Sequence, residues 1–397
     1  MVETTSSAGG AAEFHHWWNN ERFRGILYQI LLMAGVVAGG WFLVANTLNN
    51  LNARHIATGF GFLEREAGFG ISEHLIDYVP SDSYMRAFEA GLLNTLEVSI
   101  IGIVLTTLLG IVMGIARLST NWLVARLAAA YVEAMRNVPV LLLLLFCYSI
   151  VTVSLPLSRN ALNLFDCVFL SNRGLRIPSL IWDANAYVVV GALLAGVLCS
   201  ILLALWARRR LDRTGKYFPV FGGSIGLIVG FPLLAFLATG AHLTFDVPHL
   251  AGFNFTGGST LSPEFAALLV GLVIYTGAFI AEIVRGGILA VSYGQTEAAL
   301  ALGLSRMQVL RLVVLPQSLR VIIPPLTSQY LNLVKNSPLA VAIGFPDLVS
   351  VANTAINQTG QAVEGVSIIM GIYLAISLII SVLMNWYNKR VALRGGR

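Results

Sequence analysis

The chain has 397 residues, of which 56% are hydrophobic and only 11% charged; its mean hydropathy is +0.77 and its net charge +5. Soluble globular domains carry about 25% charged residues, so this chain lacks the polar surface to cover soluble domains of the same total length. The basic balance does not point to nucleic acid, because the positive residues cluster between apolar runs, as they do in the cytoplasmic loops of membrane proteins.

A hydrocarbon core of about 30 Å requires roughly 20 apolar residues as helix. Eight stretches qualify, at about 26–48, 91–116, 138–156, 186–206, 218–240, 264–284, 318–346 and 366–388. They are predicted as helices, because strands would leave backbone groups unpaired in lipid and the alternation of a membrane barrel is absent. The first apolar run, Ile26 to Leu48, exceeds the roughly 7–15 residues of a signal-peptide core. Arg22 and Arg24 precede it, so it reads as an uncleaved anchor with its N-terminus inside. With that start, eighteen Lys and Arg residues fall in cytoplasmic segments and six outside, a bias that supports eight spans with both termini cytoplasmic. The acidic loop from 49 to 90 and the loop from 241 to 263, which has no Lys or Arg, are then external, and neither is long enough for a domain of its own.

Cys147 and Cys199 lie in apolar runs and Cys167 between two of them, without a C-x-x-C pair, so all three read as packing residues. His242 and His249, with Asp246 between them, have no metal-binding spacing. Gly110-x-x-x-Gly114 permits close helix contact but is a weak signal in an apolar run.

The segment from Arg285 to Arg320 is more than a connector. Thr296 to Leu302 is rich in helix formers, Gly303 suits a left-handed helix end, Arg306 to Val314 reads as a second helix, and Leu315-Pro316 reads as a stop. The apolar residues Leu300, Leu304, Met307 and Leu310 would be costly in water without a partner; the bland reading is a surface-lying amphipathic loop.

The spacing of Glu297-Ala298-Ala299, Gly303, Val313 and Leu315-Pro316 resembles the "EAA" signature of bacterial ABC importer permeases, with Val313 where Ile is usual. In that family the loop is a coupling helix docked in a cleft of the ATP-binding subunit. The resemblance implies that Glu297 meets basic residues there and that Gly303 makes the turn. Gly91-Leu92-Leu93-Asn94-Thr95-Leu96, Tyr131 to Pro139, Ala281 to Gly286 and Lys335-Asn336-Ser337-Pro338-Leu339 are similar to the polar amino-acid subfamily. Asn137, Val138, Asn336 and Pro338 depart from its usual residues. The enlarged layout and the segment from Asn353 to Gln361 resemble the permeases of general L-amino-acid transporters of alphaproteobacteria.

The resemblance implies an all-α integral membrane protein of about eight transmembrane helices with a type I importer core of five. The expected divisions are a cytoplasmic tail (1–25), an extra span and periplasmic loop (26–90), two core spans (91–156), an inserted region with two extra spans (157–262), and three core spans (263–397) with the coupling loop at 285–320. The implied partners are ATP-binding cassette subunits, a second homologous permease subunit and a periplasmic amino-acid-binding protein. Membrane lipid surrounds the chain and no nucleic acid is expected. ATP and Mg would bind the partner, and no cofactor this chain. The expected location is the bacterial inner membrane.

Within the spans, Lys335 is an ionisable group in apolar sequence and hence a functional candidate. It could meet a substrate carboxylate or hold a neighbouring helix, with Glu97 as a possible intramembrane partner; Asn336 and Ser337 complete the substrate-path candidates. Glu282 and Arg285 suit a structural or gating role. Asn353, Asn357, Gln358 and Gln361 either line an outer vestibule or form a solvated loop. No G-x-x-x-x-G-K-[S/T] sequence and no nucleophile–base cluster occurs, so the chain reads as a conduit powered by a separate ATPase and not as an enzyme. The alternative is an ion-coupled secondary transporter, for which an internal repeat is missing.

Overall fold

The computed structural model describes residues 21–53, 58–181, 184–215, 218–239, 244–252 and 254–391. The tail 1–20 and His242 lie outside the described residues, as do Arg54, Lys216, Arg394 and Arg397, which belong to the count of basic residues given above.

Helix α1 (Glu21–Ala53) comes first and buries none of its apolar window against the rest of the chain. Helix α2 (Tyr84–Ala116) opens at Ser83, whose hydroxyl accepts from the Arg86 amide and satisfies one free donor of the first turn. Helices α3 (Trp122–Asn137) and α4 (Val140–Ser149) come next, then a π-turn over Ile150–Ser154. An inserted region carries strands β1 (Leu162–Leu164), β2 (Val168–Ser171), β3 (Gly174–Ile177) and β4 (Ser179–Leu180), and then helices α5 (Ala184–Thr214) and α6 (Val220–Thr239). Strands β5 (Phe245–Asp246), β6 (His249–Ala251), β7 (Asn254–Thr256) and β8 (Ser259–Leu261) lead into α7 (Pro263–Leu289). The chain ends with α8 (Tyr293–Ala301), α9 (Arg306–Val309), α10 (Leu315–Asn336), α11 (Leu348–Thr359) and α12 (Ala362–Val391). Among the described residues, seven helices are long and apolar enough to cross a membrane, or eight if the bent pair α3–α4 counts as one span.

The core is built on α2 against α7. Helices α4 and α10 flank α7, α12 lies on α10, and α11 covers the first turns of α2. Gly110 and Gly114 bring the two central backbones together: a Cβ at Gly110 would sit 2.4 Å from Cγ2 of Ile280, and one at Gly114 2.7 Å from the Ala281 carbonyl oxygen. Overpacking such a contact costs on the order of 1–3 kcal/mol. Gly110→Leu is therefore expected to lower the melting temperature of the purified protein by several degrees. Gly286→Ala, which meets no atom within 4 Å, should not. Equal thermal transitions for both variants would rule out this close approach.

Two predicted spans differ in shape from simple rods. Helix α4 and its π-turn cover Val140–Ser154, about 22 Å at 1.5 Å per residue, and meet α3 at 107°. The cause is Pro139, which forces Val138 into extended backbone (φ −96°, ψ 131°) and so ends α3. The 318–346 span is α-helical only to Asn336, tightens into a 3-10 helix over Ser337–Ile343, and ends at Gly344 in left-handed geometry (φ 81°).

The strands were not expected. A four-stranded antiparallel sheet has the order β1-β2-β3-β8, so the two halves of the insertion meet at the β3–β8 pair, Leu175 opposite Leu261. Two smaller pairs, β4–β5 and β6–β7, adjoin it, and Phe169 packs on Phe255 with ring centroids 4.6 Å apart. Helices α5 and α6 pack on each other as a hairpin hung from these sheets.

Residues 58–83, read above as a loop too short for a domain, form a compact cap. Phe62, Ala67, Ile71 and Tyr78 are buried against Tyr84 and Phe88 of α2 and Leu348 and Val351 of α11. The Gly59 amide donates to Glu364 at 2.6 Å, Gln361 donates to the Gly59 carbonyl at 3.0 Å, and the Tyr84 hydroxyl donates to Gln358 at 2.7 Å. The polar run from Asn353 is accordingly helical and not a loop, with Asn353, Asn357 and Gln358 exposed and Gln361 buried. Asn353 to Thr359 belong to α11, and Gln358 and Gln361 spend their amides on holding the cap.

Candidate functional site: the segment between α7 and α10

Helix α8 carries Glu297, Ala298 and Ala299. Ala299 is buried, and its small side chain lets α8 lie close against the chain at 306–314. Glu297 and Ala298 face out. At the end of α8 the Leu304 amide donates to the Ala299 carbonyl at 3.3 Å and the Gly303 amide to the Leu300 carbonyl at 2.9 Å. This paired closure, with Gly303 at φ 83°, is the Schellman arrangement, which needs a left-handed residue just past the helix. One residue later Ser305 starts α9 with a reciprocal cap: the Ser305 amide donates to Gln308 Oε1 at 2.8 Å, and the Gln308 amide to Ser305 Oγ at 3.4 Å. Stop and start are thus both locally hydrogen-bonded, and the angle between α8 and α9 is fixed within a few residues.

The segment does not end at its proline. The chain runs from α9 through a π-turn (Leu310–Val314) directly into α10, with Pro316 inside the first turn. Widening to i→i+5 spacing just before Pro316 accommodates a residue without an N–H. Leu315 and Pro316 therefore join this segment rigidly to a membrane span, where the sequence suggested a break.

The outward surface of this segment exposes large apolar side chains beside Glu297, Arg306 and Arg311. Leu302 is 83% exposed and Met307 70%, with Tyr293, Leu310 and Leu312 also exposed. A groove of about 430 Å3 between Tyr293, Thr296, Leu300, Arg306, Val309 and Val314 crosses it. Behind the segment a second cavity of about 700 Å3 separates Leu310, Leu315 and Ser318 from the ends of α2 and α3 at Ile115, Leu118 and Val124. Glu282 of α7 holds this end of the bundle: Arg117 beyond α2 donates to it, as does Arg285 at 2.6 Å, while Arg136 of α3 lies 5.4 Å over the Phe279 ring.

Lys335 is exposed at the end of α10, Asn336 half-buried, and Ser337 buried with its hydroxyl donating to the Val334 carbonyl at 2.9 Å. Among the described residues Lys335 and Glu97 form no ion pair. Glu73 of the cap lies within electrostatic reach of both Glu97 and Glu264. Burial pushes the Glu73 carboxyl above its usual range. A hydrogen bond from Ser262 Oγ at 2.5 Å opposes this, and the two neighbouring carboxylates add to it.

The sequence reading gave Asn94 and Thr95 no role beyond the family resemblance and missed Asp347. Asn94 Nδ2 donates to the carbonyls of Glu73 (2.7 Å) and Pro346 (2.9 Å), and the Leu348 amide donates to Thr95 Oγ1 (3.0 Å). Asp347 accepts from the Ser350 amide at 2.8 Å as the cap of α11. The available signal was an Asp three residues before a Ser at the start of an apolar helical run.

Residues 196–393 match the family described as Binding-protein-dependent transport system inner membrane component. The chain is 48% identical to the general L-amino acid transport system permease protein AapQ of Rhizobium johnstonii, over 99% of this chain and 98% of that one. It is 51% identical to the putative amino-acid ABC transporter permease protein YhdX of Escherichia coli, over 94% and 95%. Among solved structures, an amino acid ABC transporter with histidines aligns over 77% of this chain and 95% of its own, at 21% identity and a TM-score of 0.46.

Proposed function

This chain belongs to the ABC importer permeases described as binding-protein-dependent transport system inner membrane components, and from that premise we infer that it passes a broad set of L-amino acids from periplasm to cytoplasm. It is a multi-pass membrane transport subunit and not an enzyme. A separate ATP-binding cassette partner, which binds ATP and Mg, supplies the energy. A second permease subunit completes the pathway, and a binding protein delivers substrate from outside.

The observation that carries this reading is the segment Glu297–Pro316. It offers exposed apolar side chains together with one carboxylate and two arginines, Arg306 and Arg311; its two short helices have a relative angle fixed by hydrogen bonds, and it is continuous with a span. Apolar surface of this kind is costly in water unless a partner covers it. Closure of the ATPase pair would move this rigid lever, and α10 with it, so that the bundle alternates between outward and inward openings. In the substrate path, Lys335 offers an ammonium to a substrate carboxylate, with Asn336, Ser337 and Glu97 along the same route.

Uptake of a panel of radiolabelled L-amino acids, in cells with and without this chain, tests the breadth. Loss across acidic, polar and basic amino acids is expected. Loss of one amino acid alone refutes the breadth and leaves the import assignment intact, whereas normal uptake of all of them refutes both.

A further inference from the structure

The α5–α6 hairpin has a chemical feature that the transport reading does not use. Near its end α5 carries Trp206, Arg209, Arg210 and Arg213. At about 100° per residue, these four positions fall within one arc of roughly 100° on the helix. The Arg210 guanidinium lies 5.2 Å over the Trp206 ring, and Phe218, just before α6, meets the same indole edge-on at 5.5 Å. Trp206 is thus clamped between a cation and a phenyl ring while remaining 48% exposed. Arg209 and Arg213 are exposed beside it. Among the described residues the ion pairs are Arg86–Glu89, Arg117–Glu282 and Arg285–Glu282, so no described carboxylate neutralises the three arginines.

The same pairing recurs on α12, where Arg390 lies 4.0 Å over Trp386, again four residues apart near the helix end. Indoles favour the membrane–water interface, so in both helices the stacked guanidinium stands at the depth of lipid phosphates. The apolar windows of α5 and α6 are 6% and 0% buried within the chain, which leaves lipid as the surrounding medium of the hairpin. A guanidinium fork matches the paired oxygens of a phosphate, and a juxtamembrane basic cluster is drawn to anionic headgroups.

We propose that Arg209, Arg210 and Arg213, with Trp206 as platform, bind the headgroup phosphate of an anionic glycerophospholipid and anchor the α5–α6 hairpin beside the transport core.

Native mass spectrometry of the purified assembled transporter in detergent, with added phosphatidylglycerol or phosphatidylcholine, tests this directly. The native protein should retain phosphatidylglycerol in preference. Arg210→Gln should weaken retention about fivefold, and replacing all three arginines with Gln on the order of 100-fold. The single variant keeps the remaining basic residues that orient the hairpin, so it remains informative if the triple variant misinserts. Equal retention of the two lipids, or undiminished phosphatidylglycerol on Arg210→Gln, overturns the proposal. So does displacement by excess inorganic phosphate, which would make this a free-anion site. None of these readings needs uptake, so failure here is distinct from failure of the transport assignment.

Discussion

Replacing Gly303 with proline is expected to abolish amino-acid uptake while the protein still reaches the membrane. Gly303 sits at φ 83°, and proline is confined to about −65°, so the turn cannot form with proline in place. Proline also removes the amide that donates to the Leu300 carbonyl, one of the two bonds that close α8. The combined cost is about 3 kcal/mol or more, and it falls on a short segment with only Ala299 and Val309 buried beneath it. The segment would give way before the core does, and the angle between Glu297 on α8 and Met307 on α9 would be lost. Gly303→Asn is the matched control, because asparagine tolerates the left-handed region; it should retain most uptake. Glu297→Lys should also stop uptake, by reversing the one exposed carboxylate of the segment proposed to meet the ATPase while leaving the backbone intact. Uptake and membrane abundance measured together decide the matter: normal uptake by the Gly303→Pro protein would remove this segment from the coupling path.

The spans were legible because lipid imposes a long apolar run on each of them, and no tertiary detail is needed to see Tyr84–Ala116 or Pro263–Leu289 as helices. The segment between α7 and α10 was legible for another reason: Gly303 and Ser305 are local stop and start signals, whose geometry depends on residues within five positions. The features that escaped the reading depend on distant partners. The strands are only two to four residues long, too short for alternation to register. Strand β3 finds β8 across more than 80 residues containing two spans. The cap is similar, since Phe62 and Tyr78 become core only when Leu348 and Val351 arrive from the other end of the chain. Lys335 shows the converse error. An isolated lysine in an apolar run suggests a partner carboxylate, yet Glu97, the one at hand, has another carboxylate, Glu73, within electrostatic reach and forms no ion pair with Lys335 among the described residues. The bend at Pro139 could have been read, because a proline after Val138 disfavours helix there. The passage through Pro316 could not, because a π-turn leaves no mark in the sequence.

Asp347→Asn is expected to stabilise the protein at neutral pH and to have little effect in acid. The Asp347 side chain is fully buried where Asn94 and Thr95 hold the turn before α11, and one carboxyl oxygen caps that helix while the other has no partner among the described residues. Burial pushes the carboxyl up to about 6, against the hydrogen bonds from the amides of Ser350, Val349 and its own residue. The unfolded chain releases this proton near 3.9. Between these two values the folded protein binds more protons than the unfolded one, so stability is greatest below the unfolded value. It declines as pH rises through about 6 and then levels off. A difference of roughly two units corresponds to about 3 kcal/mol at pH 7.5, in favour of a side chain that never ionises. Asparagine caps a helix about as well as aspartate, so the substitution removes the charge without removing the cap. Thermal unfolding of both proteins in detergent at pH 4.5, 6 and 7.5 should show the Asn variant gaining progressively with pH. A gap independent of pH, or an Asn variant less stable at pH 7.5, would mean that the charged carboxylate is itself needed at this junction of α2 and α11.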